Sequence, residues 1–182
     1  DTWLDLLAET DAHARTRDCV TVASLIPADL ETGVEMIERM VAAGARVVEL
    51  NIGAPHGGEA APGAIALERN AERVRSMTAA VRAVVPGPLW GKLTGQSEDV
   101  AGLAAAAVAG GADAVGLMGR YMALLPDPET MAPVLGTRAA YGGGWALPLT
   151  CHWLAATRAR LGPAVALIGT NGARSGLDVI RM

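Results

Sequence analysis

With 182 residues, 51% hydrophobic and 19% charged, and a formal net charge of −4, the chain is long enough for one compact domain with a real core. A mildly acidic sequence with 3% aromatic residues and no run of Lys or Arg offers neither the basic footprint nor the stacking platform of a nucleic-acid binder. No apolar run approaches a membrane span and no stretch reads as a signal peptide, while Cys19 and Cys151 lack CxxC or Cys/His spacing, so we expect reduced thiols in a cytoplasmic protein with no metal site.

In chain order, the first pattern is helical, TWLDLLAETDAHAR (2–15). The first apolar run, CVTVASLI (19–26), is followed by Asp29, which can cap a helix whose Val34, Ile37, Met40 and Val41 form one apolar stripe ended by Gly44. VVELNI (47–52) comes next, then PLWGKLT (88–94). After it Ser97 is the expected cap of EDVAGLAAAAVAGG, with Val100, Leu103, Ala107 and Val108 turned inward and a stop at Gly110 and Gly111. AVGLM (114–118) closes a helix-to-strand passage, GGADAVGLM, similar enough to AGARVVELNI to be one structural unit used twice. RYMALLPDPETMAPVLGTRAAY (120–141) has the length and Pro content of an active-site loop. AVALIGT (164–170) is the fifth run, and SGLDVIRM ends the sequence inside a further helical pattern, which suggests a fragment or a chain whose ends are missing.

Repeated strand-then-helix units without polar-faced strands predict a soluble α/β protein with a parallel sheet and right-handed crossovers. A barrel and an open doubly wound sheet both fit. Polar residues collect at strand C-terminal ends (Asn51, Lys92 with Thr94, Thr170 with Asn171), where a (β/α)8 barrel builds its active site, and no GxGxxG follows the first strand. The barrel is therefore favoured, although five strands do not close one.

ELNIGAPHG (49–57) resembles the strand-four signature of the FMN-dependent dihydroorotate and dihydropyrimidine dehydrogenases. PLWGKLTGQSEDVAGLAAAAVAGGADAVGLM is similar to that family's next strand-helix-strand unit, and YGGGWALPLT…AVALIGTNGARSGLDVI to its YGG segment and strand-seven phosphate loop. The resemblance covers nearly the whole chain and numbers the strands three to seven. It implies a single partial TIM-barrel domain over residues 1–182, an FMN cofactor and a small-molecule substrate. A homo- or hetero-oligomer is compatible with it.

By resemblance Lys92 and Asn51 are the catalytic candidates, Lys92 facing the pyrimidine edge of the flavin and Asn51 touching flavin and substrate together. Gly142, Gly143, Gly169, Thr170, Asn171 and Gly172 join them as cofactor-binding candidates, glycine-rich loops being suited to holding phosphate on backbone N–H groups. Asn171 stands where the family has glycine, and Asn tolerates a left-handed backbone better than most residues. His56 and Arg120 are the substrate-binding candidates. Each residue also has a plain structural reading: Lys92 snorkelling at the barrel rim, Asn51 satisfying loop backbone, GTNGARSG a simple turn, His56 a loop organiser. Glu49, in a buried strand, is expected to pair with a basic residue of the wall.

The departures limit the expected activity. Ala54 and Leu67 stand where the family places its Cys or Ser acid/base, and neither side chain moves a proton. Gly119, followed by Arg120, replaces an Asn offered to a pyrimidine, and Trp145 and Ala146 replace the Ser-Gly of the YGG segment. Two functions follow: an FMN oxidoreductase acting on a CH–CH bond, or a flavin-barrel homologue that has lost dehydrogenase activity and serves as a binding subunit or non-redox enzyme. A tRNA-dihydrouridine synthase is a poor third, since the basic surface is missing.

Overall fold

The computed structural model describes residues 2–27, 29–53, 69–137 and 139–182. Helix α1 (Thr2–Arg15) leads to β1 (Val22–Leu25), α2 (Leu30–Ala42), β2 (Val47–Asn51), α3 (Ala71–Arg82), β3 (Leu89–Lys92), α4 (Val100–Ala109) and β4 (Ala114–Leu117). A short antiparallel ribbon follows, β5 (Tyr121–Ala123) with β6 (Ala139–Tyr141). A single 3-10 turn then precedes α5 (Leu147–Leu161), β7 (Ala166–Gly169) and α6 (Gly176–Arg181).

Strands β1, β2, β3, β4 and β7 lie side by side in that order, and every neighbouring pair is parallel. The order never doubles back, so right-handed crossovers put the connecting helices on one face, whereas a doubly wound sheet reverses at its switch point. The chain is an incomplete TIM barrel, an arc of wall with its helices outside. The five expected strands are all present, trimmed at their ends. The expected active-site loop instead carries the β5–β6 ribbon, whose partners lie too far apart in sequence for a local pattern to reveal.

Strand register sorts side chains onto two faces. Val48, Leu50, Leu89, Gly91, Val115 and Leu117 share the helix-facing side and are buried. Gly91 keeps this contact close, since a Cβ there would stand 3.3 Å from that of Ala107 on α4. The opposite, concave side carries Ser24, Glu49, Asn51, Trp90 and Lys92, exposed or half-buried.

Helix ends follow local chemistry. Asp29 caps α2 by accepting from the Thr32 amide at 2.9 Å. The cap of α4 is Asp99, not Ser97: the residue directly before the first helical position reaches the third amide, that of Gly102, at 2.7 Å. Ser97 instead accepts from the Asp99 amide at 3.2 Å. The repeated exit is real in the backbone. Gly44 and Gly111 both have φ of +100°, and Ala45 and Ala112 donate back to Met40 and Ala107 at 3.0 and 3.1 Å, the same glycine-terminated stop twice.

Helix α1 is tied to the sheet by the buried Asp11, which accepts from Arg15 at 2.7 Å and Arg46 at 3.0 Å. The Arg15 hydrogen bond, with help from Arg46, holds the Asp11 carboxyl below its usual 3.8 against the opposing effect of burial. Cys19 and Cys151 are free thiols, and among the described residues no helix is long and apolar enough to cross a membrane.

Candidate active site

The C-terminal ends of β2, β3, β4 and β7 open on a cavity of about 470 Å³. Asn51 and Gly53 enter it from β2, Lys92 from β3, Met118, Gly119 and Arg120 from the end of β4, and Thr170 and Asn171 from the exit of β7. Ala140 and Gly142 close one side from the ribbon. Six of the candidates named from sequence, Asn51, Lys92, Arg120, Gly142, Thr170 and Asn171, therefore meet in one place.

Gly143, Gly169 and Gly172 do not line the cavity but shape its wall. The Gly143 amide donates to Asn171 Oδ1 at 3.0 Å. Gly169 turns its open side to Leu154 and Met182, and Gly172 (φ +105°) lies so close to Ala146 and Leu147 that a Cβ would not fit. His56, with Ala54 and Leu67, lies outside the described residues.

Lys92 and Asn51 sit side by side because the β2–β3 register pairs them. Lys92 Nζ lies 3.4 Å from Glu49 Oε1, which also accepts from Ser24 Oγ at 2.8 Å. The basic partner expected for Glu49 is thus Lys92 itself. Asn51 Oδ1 is buried and without a hydrogen-bond partner among the described residues, which costs free energy unless something else donates to it. Gly53 lets the chain run against β3: its amide donates to Lys92 O at 3.0 Å, and a Cβ would fall 2.2 Å from the Thr94 nitrogen.

The β7 exit is held from both sides. Thr170 directs its hydroxyl at Leu117 O and Met118 O, 2.8 and 2.9 Å away, while Thr150 of α5 reaches the carbonyls of Thr170 and Asn171. Asn171 has φ of +70°, the left-handed conformation foreseen for it, and its carboxamide joins Gly143 to Gly119 O. At Gly142 a Cβ would stand 2.8 Å from Asn171 Oδ1. Met118, fully buried at φ +72°, is a strained non-glycine residue at the same rim.

Among the described residues, the charged side chains lining the cavity, Lys92 and Arg120, are both cationic, and Glu49 compensates only Lys92. Trp145 neither fills nor caps the cavity. Its ring, 55% exposed, leans on Tyr121 at 5.3 Å, and burial raises the Tyr121 phenol above its ordinary 10.0. Sequence reasoning missed Gly53, Met118 and Ala140 as lining residues. The first two had a usable signal, since Gly53 directly follows the VVELNI run and Met118 ends the AVGLM run; Ala140 had none.

No protein-family model matches the chain. It is 30% identical over 179 residues to the catalytic subunit of dihydroorotate dehydrogenase B (NAD(+)) of Methanosarcina mazei, covering 97% of this chain and 55% of the relative. The protein of that name from Methanopyrus kandleri is 33% identical over 167 residues, 88% of this chain and 51% of the relative. In fold, the chain matches the structure of DHODH from Eimeria tenella in complex with ferulenol with a TM-score of 0.74 at 16% identity, over 98% of this chain and 53% of the other. The chain spans about half the length of the curated relatives it matches. In sequence and in fold it is a partial relative of the dihydroorotate dehydrogenases.

Proposed function

We propose that the chain is one partial barrel domain, residues 1–182, of an FMN-dependent oxidoreductase acting on a CH–CH bond of a small molecule, in the manner of a dihydroorotate dehydrogenase. The observation that carries this reading is the meeting of Asn51, Lys92 and the Thr170–Asn171 turn, from three different strands, in a cavity at the strand C-terminal ends. The residues suit a flavin. A buried carboxamide oxygen at Asn51 finds no donor among the described residues, and the charged side chains described along the cavity are positive.

When bound, FMN supplies the acceptor for a hydride from the substrate carbon. Lys92, held by Glu49, would be the cation that offsets negative charge on the bound flavin, and the Asn51 carboxamide oxygen would accept an N–H from flavin or substrate. Gly142, Thr170 and Asn171 would hold the cofactor along the cavity wall, backed by Gly143, Gly169 and Gly172. His56 and Arg120 serve the substrate. With Ala54 and Leu67 at the positions where the resemblance puts an acid/base, this chain lacks the ~10²–10⁴-fold contributed by a positioned proton donor. That absence favours a second reading, a homologue that binds flavin without dehydrogenating.

The test is the visible spectrum of the purified full-length protein, followed by stopped-flow mixing with dihydroorotate. Bound flavin bleached slower than about 1 s⁻¹ is the expected result. Absence of flavin overturns the reading, and bleaching at rates of a working enzyme overturns the inference from Ala54 and Leu67.

A further inference from the structure

Most polar side chains lining the cavity are engaged within the protein. Lys92 faces Glu49, Thr170 lies between two strand-end carbonyls, and Asn171 is held at both ends of its carboxamide. Two groups are left, the buried Asn51 Oδ1 and the guanidinium of Arg120, which is exposed and has no hydrogen-bond or ion-pair partner among the described residues.

The backbone around Arg120 is fixed although its side chain is not. On one side, Gly119 donates to Leu93 O at 3.2 Å and accepts from Asn171 Nδ2 at 3.3 Å. On the other, the Met122 amide donates to Gln96 Oε1 at 2.8 Å, and between them the Tyr121 ring rests on Trp145. Arg120 Cγ also passes close to Gly142, within 3.3 Å of where a Cβ would lie. A planar fork of five donors on an anchored backbone, with no acidic residue lining the cavity among the described residues, is complementary to a planar bidentate anion.

We propose that Arg120 is the specificity-determining residue of this cavity and binds the carboxylate of a planar substrate, so that the site reads ligand charge where the resembled family offers a neutral amide to a pyrimidine. This rests on the oxidoreductase reading only for what the cavity is for. Gly119 has no side chain to make an amide contact, and the next residue supplies the charge. The shared chemistry is an oxyanion, which a substrate carboxylate or the phosphate of a cofactor could present, and the inference commits to the carboxylate.

Calorimetric titration of the full-length protein with two matched pairs, orotate against uracil and nicotinate against nicotinamide, isolates that charge without depending on flavin colour. Each carboxylate is expected to bind about 10-fold or more tightly than its neutral partner. Arg120→Gln should bring both ratios close to one without shifting the melting temperature, and Arg120→Lys should restore part of each. Ratios near one in the unaltered protein, no binding of either carboxylate, or ratios unchanged in Arg120→Gln would overturn the proposal. Weaker retention of FMN in Arg120→Gln with both ratios unchanged would assign Arg120 to the cofactor phosphate and overturn it as well. A protein that holds no flavin yet keeps both ratios would refute the oxidoreductase reading and leave Arg120 as the carboxylate anchor.

Discussion

Along β2, neighbouring residues meet opposite fates. Val48 and Leu50 have no exposed surface and pack toward the helices, while Glu49 and Asn51, one position on, look into the concave side and stay half-buried. The same alternation on β3 sends Leu89 and Gly91 outward to the helices and Trp90 and Lys92 inward. One face carries the apolar burial that stabilises the sheet. The other carries groups whose energetic demands are met by each other or left unmet, and a ligand can answer only the second kind.

That division can be broken or sharpened by mutation. The largest loss of stability should come from the outer face: Leu50→Ala removes a fully buried side chain and should cost about 2–5 kcal/mol in chemical denaturation. Lys92→Gln should cost no more than about 1 kcal/mol, since its ion pair is partly solvated. The same substitution should lower flavin reduction by roughly 10²-fold or more. Comparable stability losses in the two variants would erase the distinction between faces.

Gly142→Ala should come next in effect. Its new methyl would press on Asn171 Oδ1 and break the link to Gly143, so flavin affinity should fall while the thermal midpoint moves little. A wild-type affinity would show that the Asn171 bridge does not shape the cavity.

The smallest effect is expected far from the cavity, at Asp11. Because Arg15 and Arg46 hold its carboxyl below 3.8, Asp11 stabilises the fold above that pH, and the contribution is lost as pH falls through the lower folded-state value. Asp11→Asn should therefore melt earlier than wild type at neutral pH and converge with it in strong acid. A gap that persists unchanged into acid would rule out this linkage.

The sheet was legible in the sequence because strands buried against helices leave continuous apolar runs, and because Gly44 and Gly111 repeat one stop signal. Asn51, Lys92 and Asn171 were legible as polar residues at strand ends. What a side chain faces across the sheet was not. That Lys92 answers Glu49, and that Asn171 joins Gly143 to Gly119, depends on registers between strands that no single segment encodes. The β5–β6 ribbon escaped for the same reason, with three residues a side pairing across a long loop. Ser97 was preferred to Asp99 as a cap because both residue types cap well and the helix start differs by two positions.

The most direct test of the claim that the concave face is a flavin site is to release and identify whatever cofactor the purified full-length protein carries, by absorbance and mass, and to titrate the emptied protein with FMN while following quenching of flavin fluorescence. FMN in near-equimolar amount, with saturable quenching that weakens in Asn51→Ala and Lys92→Gln and persists in Arg120→Gln, is the predicted result. A colourless protein whose addition leaves FMN fluorescence unchanged would contradict it.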